Sequence, residues 1–126
     1  MPYVQITLLA GRGEDYARAV GEAVNRAVIE TMDFPEDDRF QVIQEVPDYA
    51  LQLQQRSGDR VMMHLVMRQG RSDAQKTAFY RDVTRRLTQD PGIDPANVVI
   101  CFTENQNVDW SFGMGKASFL EGSLPF

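Results

Sequence analysis

Residues Val61 to Gln75 read VMMHLVMRQGRSDAQ, and three structural signals follow one another within them. Val61–Met67 is an almost unbroken apolar run, which suits a β-strand covered on both faces. Gly70-Arg71 breaks the run. Ser72-Asp-Ala-Gln75 then has the form of a capping box, in which serine and glutamine side chains satisfy each other's backbone N–H groups. Phe79, Val83 and Leu87 continue at helical spacing, so a helix follows, closed by Pro91-Gly92 and Pro95. Val98–Thr103 reads as a further strand.

The same order stands nearer the N-terminus. Tyr3–Leu9 alternates, with Val4, Ile6 and Leu8 on one face and Gln5 and Thr7 on the other. Gly11-Arg12-Gly13 ends that strand, and Glu14 and Asp15 suit the positive end of a helix. Ala17, Val20, Val24 and Val28 carry the helix to about Met32. Pro35 prevents its continuation, and Phe40–Val46 gives a second strand with Phe40, Val42 and Val46 on one face. Each half is thus strand, Gly-Arg turn, helix, strand. These pseudo-repeats, at about residues 2–46 and 60–104, lie within a single domain spanning 1–126. Between them Pro47–Asp59 is a polar loop or a short hairpin. Residues 105–126 form a tail rich in aromatics and glycine without a clear period.

Two βαβ units predict an α/β (α+β) fold: a four-stranded sheet with both helices on one face. The other sheet face also carries apolar residues, so it is expected to be covered by other subunits.

The overall figures narrow the function. With 126 residues, 43% of them hydrophobic, the chain can build one soluble globular core. A net charge of −5 argues against a nucleic-acid surface. No apolar run reaches the ~18–20 residues of a membrane span, and the start lacks a signal-peptide progression. A single cysteine, Cys101, allows no internal disulfide and fits a reducing cytoplasm; in the fourth strand it reads as a small buried hydrophobe. One histidine, His64, and one cysteine give little basis for a metal site. His64 reads as a hydrogen-bonded interior or interface residue. Gly11-Arg12-Gly13 begins like a dinucleotide turn, but Tyr16 stands at the third glycine's place, so no cofactor is expected.

The candidate reacting group is Pro2. Removal of Met1 would expose a secondary amine at the start of a strand. An α-amine titrates near ~8, so one charged neighbour or modest burial can set either protonation state at neutral pH.

Pro2, the duplicated βαβ unit and Gly70-Arg71-Ser72 together resemble the tautomerase superfamily. Three segments resemble its malonate semialdehyde decarboxylase branch: Pro35-Glu-Asp-Asp38-Arg39-Phe40-Gln41, Arg68-Gln69-Gly70-Arg71-Ser72, and the tail Asp109-Trp110-Ser-Phe112-Gly-Met-Gly115 with Phe119-Leu120-Glu-Gly122. The resemblance implies a homotrimer with each sheet facing the three-fold axis. It implies Pro2 as a cationic catalytic amine, Asp38 as the residue that holds and polarises it, and Arg71 as the clamp on the substrate carboxylate. Trp110, Phe112, Phe119 and Leu124 would form an apolar wall around the departing carboxylate. One departure stands out. The decarboxylase has a second arginine where this chain has Gln69. Arg68 next door resembles instead the His-Arg-Glu-Gly-Arg-Ser turn of cis-3-chloroacrylic acid dehalogenase, and adjacent strand residues point to opposite faces. Whether Arg68 or Gln69 compensates stays open at this level. The dehalogenase also uses a first-helix histidine, and this chain has Asn25-Arg26 there.

Plainer roles exist for the same residues. Arg71 and Arg12 could be surface arginines on turns, Asp38 belongs to the acidic run Glu36-Asp37-Asp38 with Arg39 as a possible ion-pair partner, and the tail aromatics could be core. The expected activity is decarboxylation of a small 3-oxo acid, malonate semialdehyde to acetaldehyde and carbon dioxide, without cofactor or metal. The alternatives are a tautomerase of 2-oxo or enol acids, a hydratase of acetylenic acids, or a non-catalytic oligomeric binding protein.

Overall fold

The computed structural model describes residues 2–122. Leu124 lies outside the described residues. The order is β1 (Tyr3–Leu9), α1 (Glu14–Met32), β2 (Phe40–Val46), β3 (Val61–Arg68), α2 (Asp73–Gln89), β4 (Val98–Asn105) and the short α3 (Ser118–Glu121). The sheet runs β2-β1-β3-β4. β1 pairs with β2 in parallel, β3 with β4 in parallel, and the two units join through the antiparallel β1–β3 pair.

Period-two burial explains which face is the core. Val4, Ile6 and Leu8 of β1 and Val61, Met63, Leu65 and Met67 of β3 are buried under the helices. α1 contributes Val20, Val24, Ala27, Val28 and Met32, and α2 contributes Phe79, Val83 and Leu87. The Ser72–Gln75 capping box forms in both directions, with Gln75 N–H donating to Ser72 Oγ at 3.1 Å and Ser72 N–H donating to Gln75 Oε1 at 3.0 Å. Gly70 adopts φ 127°, a backbone state that favours glycine, and this turns the chain from β3 into α2.

Several expectations need correction. β3 is buried on one face only within a single chain; Met62, His64, Val66 and Arg68 on the other are part-exposed. β2 is an edge strand whose Phe40 and Val42 lie on the open face, 39% and 45% exposed, while Ile43 packs on the core. β4 reaches Asn105 rather than stopping at Thr103. Cys101 is exposed on the open face, because alternation along β4 gives the core-facing places to Val98, Ile100 and Phe102. No hairpin forms in the Pro47–Asp59 segment. A single 3-10 turn, Asp48–Ala50, stands there, and the buried Arg60 gathers the loop by donating to the carbonyls of Leu51, Asp48 and Gly58. The described part of the tail carries regular structure that its lack of period does not suggest, a 3-10 turn at Asn107–Asp109 and α3. Among the described residues, no helix is long and apolar enough to cross a membrane.

Candidate active site

Strand register gathers the candidate residues at one end of the sheet. Tyr3 is paired with Phe40 on one side and Val66 on the other. Stepping outward from that row reaches Pro2 before β1, Asp38 before β2 and Arg68 at the end of β3, with Asn105 of β4 as Arg68's register partner. Four segments far apart in sequence therefore meet because parallel and antiparallel pairing fix the same edge.

Pro2 and Asp38 are both buried there. The Asp38 segment is fastened to α1. Arg39 donates to Glu22 at 3.0 Å, and Gln41 Nε2 donates to the Gly21 carbonyl at 2.9 Å. Gly21 permits that approach, since a Cβ there would sit 2.9 Å from Gln41 Oε1. Arg39 thus bonds to Glu22 rather than standing beside Asp38 as sequence alone allowed. Burial pushes the Asp38 carboxyl above its ordinary value; Asp37 adds to the rise, and Arg68 opposes it.

Arg71 sits where the C-terminus of α1 meets the N-terminus of α2. Its Nε donates to the Met32 carbonyl at 3.0 Å, and its guanidinium lies 4.0 Å from the centre of the buried Phe34 ring. A cation is well placed at the negative end of α1. Those contacts fix the plane of the fork from one edge. Its two terminal nitrogens make no hydrogen bond to other described residues. Burial lowers the Arg71 pKa, Arg68 lowers it further, and Asp33 and Asp38 raise it. The group still remains a cation, because guanidinium titrates far above neutrality.

Arg68, on the open face, is held differently. Its guanidinium stacks 3.7 Å from the centre of the Phe119 ring, and Nη1 donates to Asn107 Oδ1 at 3.0 Å. Its buried Nε has no hydrogen-bond partner among the described residues. Because Arg68 acts on both Asp38 and Arg71, it belongs to this cationic cluster. Gln69, by contrast, is exposed; its backbone N–H donates to the Asn105 carbonyl at 2.8 Å, prolonging the ladder by one residue. Arg12 lies elsewhere, paired with Asp59 at 2.7 Å.

The tail aromatics close over this end. Trp110 and Phe112 stack at 5.5 Å, Phe112 meets Phe119 edge-on at 5.4 Å, and Phe40 approaches Phe112 at 5.6 Å. Ser118, fully buried, accepts the Phe112 N–H at 2.9 Å and so locks the tail. Tyr3, Phe40, Val66, Asn105, Trp110 and Phe112 line a cleft of about 450 Å³. His64 bonds to Thr103 at 2.7 Å away from this cluster, as its sequence position suggested. Among the described residues, no cluster of histidine, cysteine or carboxylates could hold a metal.

Sequence reasoning missed Asn105, Asn107, Ser118 and Phe34. None carries a periodic or motif signal; each matters through a single hydrogen bond or stacking contact made across the fold.

Arranged this way, the site offers a guanidinium to a small anion, a buried Pro2 at the same sheet end as the buried Asp38, and an aromatic wall. Comparison with known proteins points the same way. Residues 38–113 match one tautomerase enzyme family and residues 2–60 a second. "Probable tautomerase YusQ" of Bacillus subtilis is 34% identical, over 96% of this chain and all of that protein. "Probable tautomerase YrdN" of the same organism is 31% identical over 98% of this chain. Among solved structures, FG41 malonate semialdehyde decarboxylase inhibited by 3-bromopropiolate superposes with a TM-score of 0.88 at 30% identity, covering 98% of both chains. A second malonate semialdehyde decarboxylase, described with decarboxylase and hydratase activities, gives 0.89 at 31% identity, covering 97% of this chain and 98% of that one. With a family match over more than half its length and relatives similar from end to end, this chain belongs to the tautomerase family.

Proposed function

We propose that the chain is a cofactor-independent decarboxylase of a small 3-oxo acid, converting malonate semialdehyde to acetaldehyde and carbon dioxide with Pro2 as the catalytic amine. The observation that carries this reading is Arg71. Its guanidinium is held by Nε and by Phe34, with two terminal nitrogens left for an anion, within electrostatic reach of Asp38 and of Arg68, which stacks on Phe119. A planar fork of this kind binds a carboxylate through two parallel hydrogen bonds. The 30–31% identity to two malonate semialdehyde decarboxylases over nearly the whole chain supports the same substrate.

The reaction consumes one proton: OHC–CH2–COO⁻ plus H⁺ gives CH3CHO and CO2. Arg71 holds the carboxylate so that the breaking C–C bond lies along the carbonyl π system. The bonding pair passes into that system as carbon dioxide leaves, and negative charge develops on the carbonyl oxygen. Cationic Pro2 stabilises that oxygen through a hydrogen bond, and the methylene carbon then takes up the proton. In the alternative route Pro2 first gives up its proton and condenses with the aldehyde, releasing the carbonyl oxygen as water. The iminium nitrogen then takes the bonding pair to give an enamine, and protonation at carbon and hydrolysis release acetaldehyde. Asp38, buried at the same end of the sheet, would keep the free Pro2 amine of the mature chain charged. Trp110, Phe112 and Phe119, with Leu124 assigned to the same wall from sequence, disfavour the carboxylate relative to neutral carbon dioxide. The open sheet face, with Phe40 and Val42 on it, fits a homotrimer in which neighbouring copies cover it.

A second reading has its own support. The curated Bacillus relatives are named tautomerases, and Gln69 stands where the decarboxylase has its second arginine. In that case Pro2 is neutral and acts as a base on an enol or 2-oxo acid, or activates water for hydration of an acetylenic acid. Incubating the mature protein separately with malonate semialdehyde, phenylpyruvate and 2-oxo-3-pentynoate separates the readings. Decarboxylation of the first, lost in a folded Pro2→Ala variant, is expected. Turnover of the others alone would replace the proposal with the second reading.

A further inference from the structure

Asn105 ends β4 beside Arg68, its register partner in the β3–β4 ladder. Its backbone carbonyl is taken by Gln69 N–H, at 2.8 Å, and its Oδ1 accepts the Trp110 indole N–H at 2.7 Å. The second bond fixes the direction of the amide. An indole nitrogen only donates, so the atom facing it must be the oxygen. The Nδ2 amino group therefore points away from the indole, and it makes no hydrogen bond to another described residue. Asn105 is also the residue shared by two clefts: the one of about 450 Å³ lined by Tyr3, Phe40 and Trp110, and one of about 400 Å³ lined by Arg68 and Gln69.

We propose that Asn105 is a substrate-binding residue whose Nδ2 donates to the carbonyl oxygen of a 3-oxo acid while the neighbouring guanidiniums hold its carboxylate. This rests on the decarboxylase reading for the identity of the substrate. The placement supports it, because adjacent strands lie about 4.8 Å apart and register partners project on the same face. With Arg68 beside Asn105 and within electrostatic reach of the Arg71 clamp, the amide and the guanidinium cluster suit a molecule with two oxygen functions one methylene apart. The division of labour follows from charge. The carboxylate belongs with the arginines, and a neutral donor suits a neutral carbonyl. That bond then strengthens as the oxygen gains charge during C–C cleavage.

A merely structural Asn105 would only hold Trp110, and paired ligands distinguish the two roles. Malonamate carries a carbonyl one methylene from its carboxylate; 3-methylbutanoate has nearly the same shape without it. Binding of both to the mature wild type, Asn105→Leu and Asn105→Ala is measured by calorimetry, with folding checked by circular dichroism. Wild type should prefer malonamate, and each folded variant should lose roughly five- to tenfold for malonamate while changing by less than twofold for 3-methylbutanoate. Two substitutions of different size guard against one failing to fold. Equal weakening of both ligands, no weakening of either, or no preference in wild type would overturn the assignment. A wild type that prefers malonamate yet does not turn over malonate semialdehyde would leave Asn105 in place and remove the decarboxylase reading instead.

Discussion

Replacing Arg71 with alanine separates what this residue does for the fold from what it does for substrate. Its Nε bond to the Met32 carbonyl, at 3.0 Å, satisfies one of the last carbonyls of α1. Losing that charge-assisted bond, together with the cation's place at the helix end, should cost about 1–3 kcal/mol of stability. The two terminal nitrogens carry the functional part. A hydrogen bond to a charged group contributes ~1.5–3 kcal/mol, and a bidentate pair in a water-poor site exceeds a single bond. At about 1.4 kcal/mol per factor of ten, kcat/KM should fall by roughly 100-fold or more. Arg71→Lys should recover only part, since an ammonium cannot reproduce the fork. Acetaldehyde production, followed through a coupled alcohol dehydrogenase, reads the activity, and thermal unfolding reads the stability. An Arg71→Ala protein as active as wild type, alongside an inactive Arg68→Ala protein, would place the carboxylate on Arg68 and refute the reasoning.

Other outcomes follow from single contacts. Ser118→Ala removes the acceptor for Phe112 N–H, so the tail should become more open to proteolysis and kcat should drop, with a stability loss of about 1 kcal/mol. Asp82 offers a pH test: burial pushes its carboxyl up, but hydrogen bonds from Arg86 and Arg85 bring it below the ordinary carboxylate range. A depressed folded-state pKa contributes stability above the unfolded value and loses it as pH falls through the folded one. Wild type should therefore exceed Asp82→Asn by roughly 0.5–1 kcal/mol in denaturant titrations at pH 7, the gap closing below about pH 4. Light scattering at micromolar concentration should report a trimer; a stable monomer would contradict the covering of the open face.

The parts of the fold that sequence revealed are those set by local chemistry. Hydrophobic alternation marked β1, the Ser72–Gln75 capping box fixed the start of α2, and Pro35 ended the first helical unit. Faces were harder. Phe40 and Val42 look like core residues by type, yet β2 is an edge strand and its core contact is Ile43. Cys101 was misjudged for the same reason: its residue type suggested burial, while the register of β4 turned it outward. At the site, motif resemblance picked out Pro2, Asp38 and Arg71; strand register brings Pro2 and Asp38 to one sheet end, and the turn into α2 with the Met32 carbonyl places Arg71. It left open how Arg68 relates to them, because the Phe119 stack and the Asn107 bond that hold Arg68 come from the aperiodic tail. Asn105 escaped notice because its significance lies in the direction of one amide, which only Trp110 fixes.

The central claim is that Pro2 works as a cation. A titration of its nitrogen by NMR, with ¹⁵N-labelled proline in the mature protein, tests this directly. Asp38 is buried at the same sheet end as Pro2, and a carboxylate there would favour the protonated amine of the mature chain, so the account predicts that Pro2 is mostly cationic at pH 7. A mostly neutral amine at that pH would contradict decarboxylation by a charged Pro2 and assign the site to base-catalysed tautomerisation.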